Sequence, residues 1–237
     1  MAIDGVSPIQ FTVERGGRGI GRALPTKWAL ELYEPNDDRG SNYAIRKYYI
    51  LRDATENAPA EADRLPTGYQ YGDTVKLSWE EDLVGTGSIN RNDYPFVRKW
   101  DNTIPTNVIE NEQYNDQVYL RLAETYLLKA EAQFKLGDRA GAAETLNVIR
   151  ARAHASPITA ADVSLDFILD ERSRELITEE HRRYTLLRTG TWLERVQAHN
   201  FLGGNQTAAA RDTLFPIPQV VIDANLTKKM PQNPGFN

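Results

Sequence analysis

Residues 121–153 read RLAETYLLKAEAQFKLGDRAGAAETLNVIRARA, and this stretch decides the fold class of the chain. Apolar side chains recur here at three- and four-residue spacing, which predicts the buried face of an amphipathic helix over residues 117–136. A second apolar stripe lies beside the first, so we expect this helix to be covered on two sides. The first stripe is Leu120, Ala123, Leu127, Ala130 and Phe134, and the second is Tyr119, Leu122 and Tyr126.

A short turn follows this helix. Gly137 predicts a left-handed helix end, and Asp138 can cap a second helix that runs to about Ala153. Small alanines face the turn, so the two helices can pack closely as an antiparallel hairpin of the tetratricopeptide kind. Because one such hairpin cannot bury both of its faces, we expect other elements to cover it.

The overall composition excludes several classes of protein. The 237 residues are 41% hydrophobic and 26% charged, as in globular proteins large enough for one big domain or two small ones. A net charge of −5 argues against a dedicated nucleic-acid binder. Cysteine is absent, which excludes disulfides, thiolate metal sites and cysteine nucleophiles. The first residues lack the pattern of a signal peptide, and no apolar run reaches the roughly 18 residues of a membrane helix.

A densely charged segment, DERSRELITEEHRRYTLLR, occupies residues 170–188. It lies in a predicted helix that begins at about Ala160 or Ser164, after a possible capping box at Thr159 and Asp162, and ends at Arg188. Three roles are open for this segment: a catalytic centre, a nucleic-acid surface, or a helix that stabilises the fold.

Spacing permits catalysis, since Glu171 and Glu175 are one helical turn apart, within the range used by glycoside hydrolases. However, arginines also follow acids at four-residue spacing, and carboxylates held beside arginines have lowered pKa values and are poor general acids. The matched charges argue against nucleic acid as well. The sequence therefore favours a structural role, with Arg172, Arg182 and Arg188 as the arginines expected to bind loops to the helix.

Residues 1–116 are rich in loops and aromatic side chains, with short strands possible at 44–51 and 96–100. The acidic stretch EPNDDRGSN (34–42) lacks the glycine position and terminal glutamate of a calcium loop, and is typical of Asx turns. His154, His181 and His199 have no metal-ligand spacing, so no metal site and no cofactor are expected.

Several segments together resemble the C-terminal region of the SusD/RagB family, surface lipoproteins of Bacteroidetes-type nutrient uptake systems. They are LPTKWALELYEPNDDR, the hairpin 121–153, ILDERSRELITEEHRRYTLLRTG (168–190) and LFPIPQVVIDANLTKKMPQNPGFN (214–237). The closing PIPQ…QNPGF is the most specific of these motifs. One departure is His181, where the family usually has glycine.

The resemblance implies a mainly α fold: a SusD-like helical scaffold with a tetratricopeptide-like hairpin, long irregular loops and a few short strands. We expect a loop-rich part at 1–116 and a helical scaffold with an extended tail at 117–237, together one domain of a longer protein. Family members begin with a signal peptide, a lipidated cysteine and helical repeats, so this chain is expected to be a C-terminal part or a shortened relative. Helix faces that would meet those repeats should then be exposed or paired with another chain.

The resemblance also implies a function. The family is non-catalytic and binds nutrients, chiefly glycans or oligosaccharides, at the surface of the outer membrane together with a SusC-like TonB-dependent transporter. Attachment to the membrane would depend on a lipid anchor that this sequence does not contain. Two alternatives stay open: a tetratricopeptide-type interaction scaffold, and a glycoside hydrolase that uses the helix carboxylates.

Sugar sites combine aromatic platforms with polar hydrogen-bonding groups, so aromatic residues on irregular segments are the candidate ligand contacts. We predict Tyr69, Tyr71, Trp79 and Tyr94, with Asn92 as a polar neighbour. The alternative is that each aromatic ring is buried and anchors its own loop. Among the remaining aromatics, the helical spacing predicts a core position for Tyr119, Tyr126, Phe134 and Tyr184, and Trp192 should pack after Gly190.

Overall fold

The computed structural model describes residues 24–51, 68–77, 94–101, 116–200 and 204–236. Helices dominate these ranges, as the sequence predicts. They are α1 (Lys27–Glu31), α2 (Leu122–Lys135), α3 (Arg139–Arg152), α4 (Leu165–Leu176), α5 (Arg182–Arg188), α6 (Trp192–His199), α7 (Gly204–Thr207) and α8 (Gln219–Asp223). Short 3-10 helices lie at Asp38–Gly40, Arg98–Trp100 and Ala210–Thr213.

Short strands form two antiparallel pairs. Strand β1 (Ile45–Arg46) pairs with β4 (Phe96–Val97), and β2 (Tyr48–Ile50) pairs with β3 (Thr74–Lys76). Aromatic and β-branched side chains favour this extended backbone. Strands predicted at 44–51 and 96–100 are therefore confirmed, whereas β3 was missed because its apolar pattern consists of a single valine between polar residues.

The helical hairpin of α2 and α3 has the predicted turn. Gly137 adopts a φ of 83°, and the Asp138 carboxylate accepts a 2.8 Å hydrogen bond from the Gly141 backbone N–H. A Cβ atom added at Gly141 would lie 2.2 Å from Asp138 Oδ2, so a larger residue there would force the capping side chain to move. Capping and close helix approach thus come from the same few residues.

The hydrophobic core lies where α2, α3 and α4 meet. Most of the predicted inner face is buried there, which confirms the periodicity of the hairpin. Core residues are Leu127, Ala130, Ala142, Ala143, Leu146, Ile149, Val163, Ile168 and Leu176, with Tyr126 and Phe134 packed against them.

Three predicted core residues are exposed instead: Tyr119, Leu120 and Tyr184. The prediction is wrong for Tyr119 and Leu120 because α2 begins at Leu122, so the residues before it do not follow helical spacing. The second apolar stripe also stays uncovered at Leu122 in the part of the chain that the structure describes. Helix α2 is therefore buried on one side, toward α3 and α4.

The predicted long helix ending at Arg188 is broken in two. Helix α4 begins after Ser164, whose Oγ accepts from the Phe167 N–H at 3.1 Å, and it ends at Leu176. Thr178 then adopts a left-handed φ of 65°, which no helix can continue through. Periodicity could not reveal this break because the apolar spacing continues across it.

The chain divides into two compact units, residues 1–180 and 181–237. The first contains α1–α4 and the strand pairs, and the second contains α5–α8. In the second unit, the Arg183 guanidinium lies 4.7 Å from the ring centroids of both Trp192 and Phe215. Gln232 bonds to the backbone N–H and C=O of Ile217 at 2.7 and 2.8 Å, which fixes the extended tail.

Within the described ranges, none of the helices combines the length and apolar character needed to cross a membrane.

Candidate functional site

Two carboxylates, Glu171 and Glu175, lie one turn apart on α4 with side chains only 0% and 1% exposed. An isolated carboxylate in such a position would be strongly destabilised by loss of water. Each of these two is surrounded by guanidinium groups. We call Glu171, Glu175 and their arginine partners the buried ion network.

Glu171 is held by three arginines from different segments. Its Oε1 accepts from Arg39 Nη1 at 2.8 Å, and its Oε2 accepts from Arg150 Nη1 and Arg174 Nη1, each at 2.8 Å. Arg150 lies on α3 and Arg39 on the 3-10 helix that follows α1. One carboxylate therefore joins α3, α4 and an otherwise irregular segment.

Glu175 is bound by three arginines as well. Arg39 Nη1 donates to its Oε2 at 3.0 Å, and Arg121 Nη1 donates to its Oε1 at 2.6 Å. Arg152 Nη2 lies 2.7 and 2.8 Å from the two oxygens. Since Arg39 contacts both carboxylates, it links the two halves of the network.

The irregular segment before the strands is fixed by the same charges. The buried Asp37 carboxylate accepts from Arg39 N, Nε and Nη2, which is the Asx turn that the sequence predicts for EPNDDRGSN. Glu34 pairs with Arg150 and accepts from the Ser156 N–H at 3.0 Å. These bonds anchor residues 34–39 to the C-terminal end of α3.

Further arginines hold the end of α4. Arg172, predicted to stabilise the fold, donates to Glu180 Oε1 at 2.6 Å and to Glu124 Oε1 at 3.0 Å, so it joins α4 to α2. Arg121 Nη2 and Lys99 Nζ donate to the Glu175 carbonyl at 2.6 and 2.8 Å. They satisfy a backbone acceptor that the end of a helix leaves without an intrahelical partner.

The electrostatic consequence is a set of carboxylates that stay ionised. Burial alone would raise the pKa of Glu175, but the guanidinium groups of Arg121, Arg152 and Arg39 outweigh it and lower that pKa. The pKa of Glu179 is lowered in the same way by Arg121 and Lys99. Glu34, held by Ser156 and Arg150 against the effect of burial, has a pKa of about 2. Such groups are poor proton donors near neutral pH.

A cleft of about 360 Å³ opens beside the end of α4. Its walls include Val97, Trp100, Val118 and Ile177, and polar groups at it include Asp116 and Arg152. The cleft thus borders the buried ion network, with Glu175 among its lining residues.

The predicted ligand contacts fall in different places. Tyr69 and Tyr71 are 38% and 36% exposed, on the turn that leads into β3. Tyr94 is 3% exposed, and burial raises the pKa of its hydroxyl to about 12. Its ring therefore anchors its own segment, the alternative that the sequence left open. Trp79 and Asn92 lie outside the described residues.

The sequence analysis did not predict most arginines of the buried ion network. Arg39, Arg121 and Arg150 come from remote segments, so no local spacing relates them to α4. The one available signal for Arg39 was its place in the acidic–arginine turn of the family resemblance. Among the described residues no group of His, Cys, Asp and Glu is arranged to hold a metal ion.

Comparison with known proteins gives a consistent result. The model of the SusD family matches residues 7–236. The SusD-like protein P25 of Formosa agariphila is 31% identical over 94% of this chain and 46% of its own length. The starch-binding protein SusD of Bacteroides thetaiotaomicron is 34% identical over 49% of this chain and 21% of its own length. The chain thus spans less than half the length of the curated relatives that it matches.

Solved structures share the fold. Surface glycan-binding protein A from Bacteroides thetaiotaomicron superposes with a TM-score of 0.60 at 23% identity, covering 97% of this chain and 45% of that one. The protein of the same name from Bacteroides fluxus gives a TM-score of 0.53 at 25% identity, covering 89% and 40%. The Bacteroides thetaiotaomicron protein has also been solved with laminarihexaose; in that complex the TM-score is 0.55 at 23% identity, covering 93% and 43%.

Proposed function

This chain belongs to the SusD family, and on that basis we propose that it is a non-catalytic glycan-binding component of an outer-membrane uptake system. The family match across residues 7–236 is the observation that carries the proposal. Relatives with this fold are named as starch-binding and surface glycan-binding proteins. A glycan is therefore the ligand class that the comparisons support for this chain.

The absence of catalysis is supported by the state of the helix carboxylates. A glycoside hydrolase needs one carboxylic acid with a raised pKa and a second, ionised group beside the scissile bond. Here Glu171 and Glu175 each bind three guanidinium groups, and the pKa of Glu175 is lowered. Their oxygens are occupied by protein donors, which leaves neither group placed to protonate a sugar.

The exposed tyrosines on the turn before β3 are the proposed ligand contacts. Tyr69 and Tyr71 flank Gln70, whose N–H donates to Asp73 Oδ2 at 2.9 Å, so the turn that carries both rings is hydrogen-bonded to itself. Exposed rings on a fixed turn can stack on the apolar C–H face of a sugar. Trp79, as an aromatic platform, and Asn92, as a polar neighbour, stay predictions from the sequence.

The proposed partner is a SusC-like TonB-dependent transporter, with this protein at the cell surface over the barrel. The support is family membership, together with apolar side chains that stay exposed on the described part of α2, among them Leu122 and Leu128. Those side chains also favour a second candidate function, a tetratricopeptide-type interaction scaffold. A scaffold would bind peptides and ignore oligosaccharides.

Calorimetric titration of the chain with laminarihexaose and maltohexaose, followed by chromatography of the sugars, tests the proposal. We expect binding with no shortened products. The double variant Tyr69→Ala/Tyr71→Ala should bind more weakly, whereas Tyr184→Ala, which removes an exposed tyrosine of the other unit, should not. Failure to bind either sugar, or release of products, would overturn the proposed function.

A further inference from the structure

The cleft beside the end of α4 has an aromatic wall that is fixed in place. Its volume of about 360 Å³ lies within the range of roughly 300–1,000 Å³ found for small-molecule sites. Trp100 lines it, and its indole Nε1 donates to Thr178 Oγ1 at 2.8 Å. Because the indole N–H is already bonded, the ring has one preferred orientation.

The residue that orients this ring is itself held in an unusual conformation. Thr178 has a φ of 65°, a left-handed region in which the backbone of a β-branched residue is strained. Lys99, next to Trp100, donates from Nζ to the carbonyls of Glu175 and Ile177 at 2.8 and 3.4 Å. Hydrogen bonds from Lys99 and Trp100 thus connect their segment to the strained turn at Thr178.

Two polar groups at the cleft keep hydrogen-bonding capacity. Arg152 is 61% exposed and donates to Glu175 through Nη2 alone. Its Nε and Nη1 bond to none of the residues that the structure describes. Asp116 is exposed, and its carboxylate likewise has no partner in the described ranges. A donor and an acceptor are therefore available, the pair of functions that sugar hydroxyls engage.

The charges of the cleft favour an uncharged ligand. Each cation that lines it faces carboxylates of the protein: Arg39, Arg121 and Arg152 bond to Glu175, Arg174 bonds to Glu171, and Lys99 pairs with Glu179. The Asp116 carboxylate at the cleft would repel an anion. The carboxylate of an acidic sugar would therefore find no cation in the cleft that lacks a protein carboxylate as partner. A neutral sugar does not need such a cation in order to bind.

From these observations we propose that the cleft is a subsite for one uncharged sugar unit, with its C–H face on Trp100 and its hydroxyls on Arg152 and Asp116. The inference rests on the proposed glycan-binding function and adds a position and a ligand class to it. Thr178 is a positioning residue, since it acts through the tryptophan ring.

Titration of the full chain with maltohexaose, laminarihexaose and a hexameric oligogalacturonate tests the subsite. Loss of an aromatic stacking contact should weaken binding of the neutral sugar about tenfold in Trp100→Ala. Loss of one acceptor should weaken it by about three- to tenfold in Asp116→Asn. Tyr184→Ala and Glu144→Gln, exposed residues that do not line the cleft, serve as matched controls and should change affinity less than about twofold, the usual size of a remote surface effect.

Thermal unfolding of each variant checks that the fold is intact. If Trp100→Ala does not fold, the affinity of Asp116→Asn tests the subsite instead, because the exposed Asp116 side chain can be replaced without loss of packing. Wild-type binding that neither cleft variant weakens would overturn the subsite while leaving the proposed function in place. Tighter binding of the oligogalacturonate than of both neutral sugars would overturn the ligand class. No binding of any sugar by the wild type would overturn both proposals.

Discussion

Arg150 Nη1 donates to Glu171 Oε2 at 2.8 Å, and the two side chains are 2% and 0% exposed. The pair joins α3 to α4 in the interior of the first unit. Glu171 also binds Arg39 and Arg174, so each charge is compensated by more than one partner. A buried pair is not in itself a large source of stability, but the loss of one member leaves an uncompensated charge in the interior.

Removal of Arg150 should therefore destabilise the fold strongly. We expect Arg150→Ala to lower the free energy of unfolding by about 3–5 kcal/mol, the range for breaking a buried ion pair. Lys129→Ala, which truncates an exposed cation on α2, should change it by less than about 0.5 kcal/mol. Urea unfolding measures both. Equal stability of the two variants would show that the buried ion network is not structural.

Acid should remove part of this stability in a defined pH range. The folded-state pKa of Glu34 is lowered from 4.5 to about 2, so its contribution is present above pH 4.5 and is lost as the pH falls toward 2. The lowered pKa values of Glu175 and Glu179 act in the same direction. We expect Glu34→Gln to be less stable than the wild type at pH 7 and to lose less stability between pH 4.5 and 2. Glu144→Gln, an exposed control on α3, should follow the wild-type curve.

The strained backbone at Thr178 can be measured by a matched pair of variants. Thr178→Ala and Thr178→Gly both remove the hydroxyl that binds Trp100, so they differ only in the cost of the left-handed φ and in chain flexibility. We expect the glycine variant to be more stable than the alanine variant by about 1 kcal/mol. A more stable alanine variant would mean that this turn is relaxed in solution.

The left-handed backbone at Gly137, in the hairpin turn, can be tested in the same way. Its φ is 83°, and a Cβ atom there would meet no other atom within 4 Å, so any cost of substitution arises from the backbone alone. We expect Gly137→Ala to lower the free energy of unfolding by about 1 kcal/mol, and Gly137→Asn to lower it less, since asparagine tolerates this region. Chemical denaturation of the two variants gives the comparison.

The hairpin could be predicted from the sequence because its determinants are local. Leu127 and Leu146 follow helical spacing, and Gly137 and Asp138 mark the turn within a few residues of one another. The same local reasoning failed at Thr178, where the apolar pattern runs on but the backbone turns. It also failed at Tyr119, because periodicity does not show where the first helical turn begins.

The buried ion network lay beyond such reasoning. Arg39 and Glu171 are separated by 132 residues, and Arg121 and Glu175 by 54, so only the folded chain brings them together. The sequence correctly predicted that the acids of residues 170–180 are matched by arginines, but it sought those arginines on the same helix. Apart from Arg174, which lies three residues after Glu171 on α4, the arginines bound to Glu171 and Glu175 come from other segments of the chain.

Glu171 and Glu175 hold the scaffold together, and we propose that they take no part in chemistry. This role is tested most directly by comparing wild type, Glu171→Gln and Glu175→Gln in two readouts: urea unfolding, and product release from maltohexaose and laminarihexaose. We predict that each variant unfolds at lower urea than the wild type and that none of the three proteins releases shortened sugars. Cleavage by the wild type that disappears in Glu175→Gln, with the unfolding curve unchanged, would contradict the account.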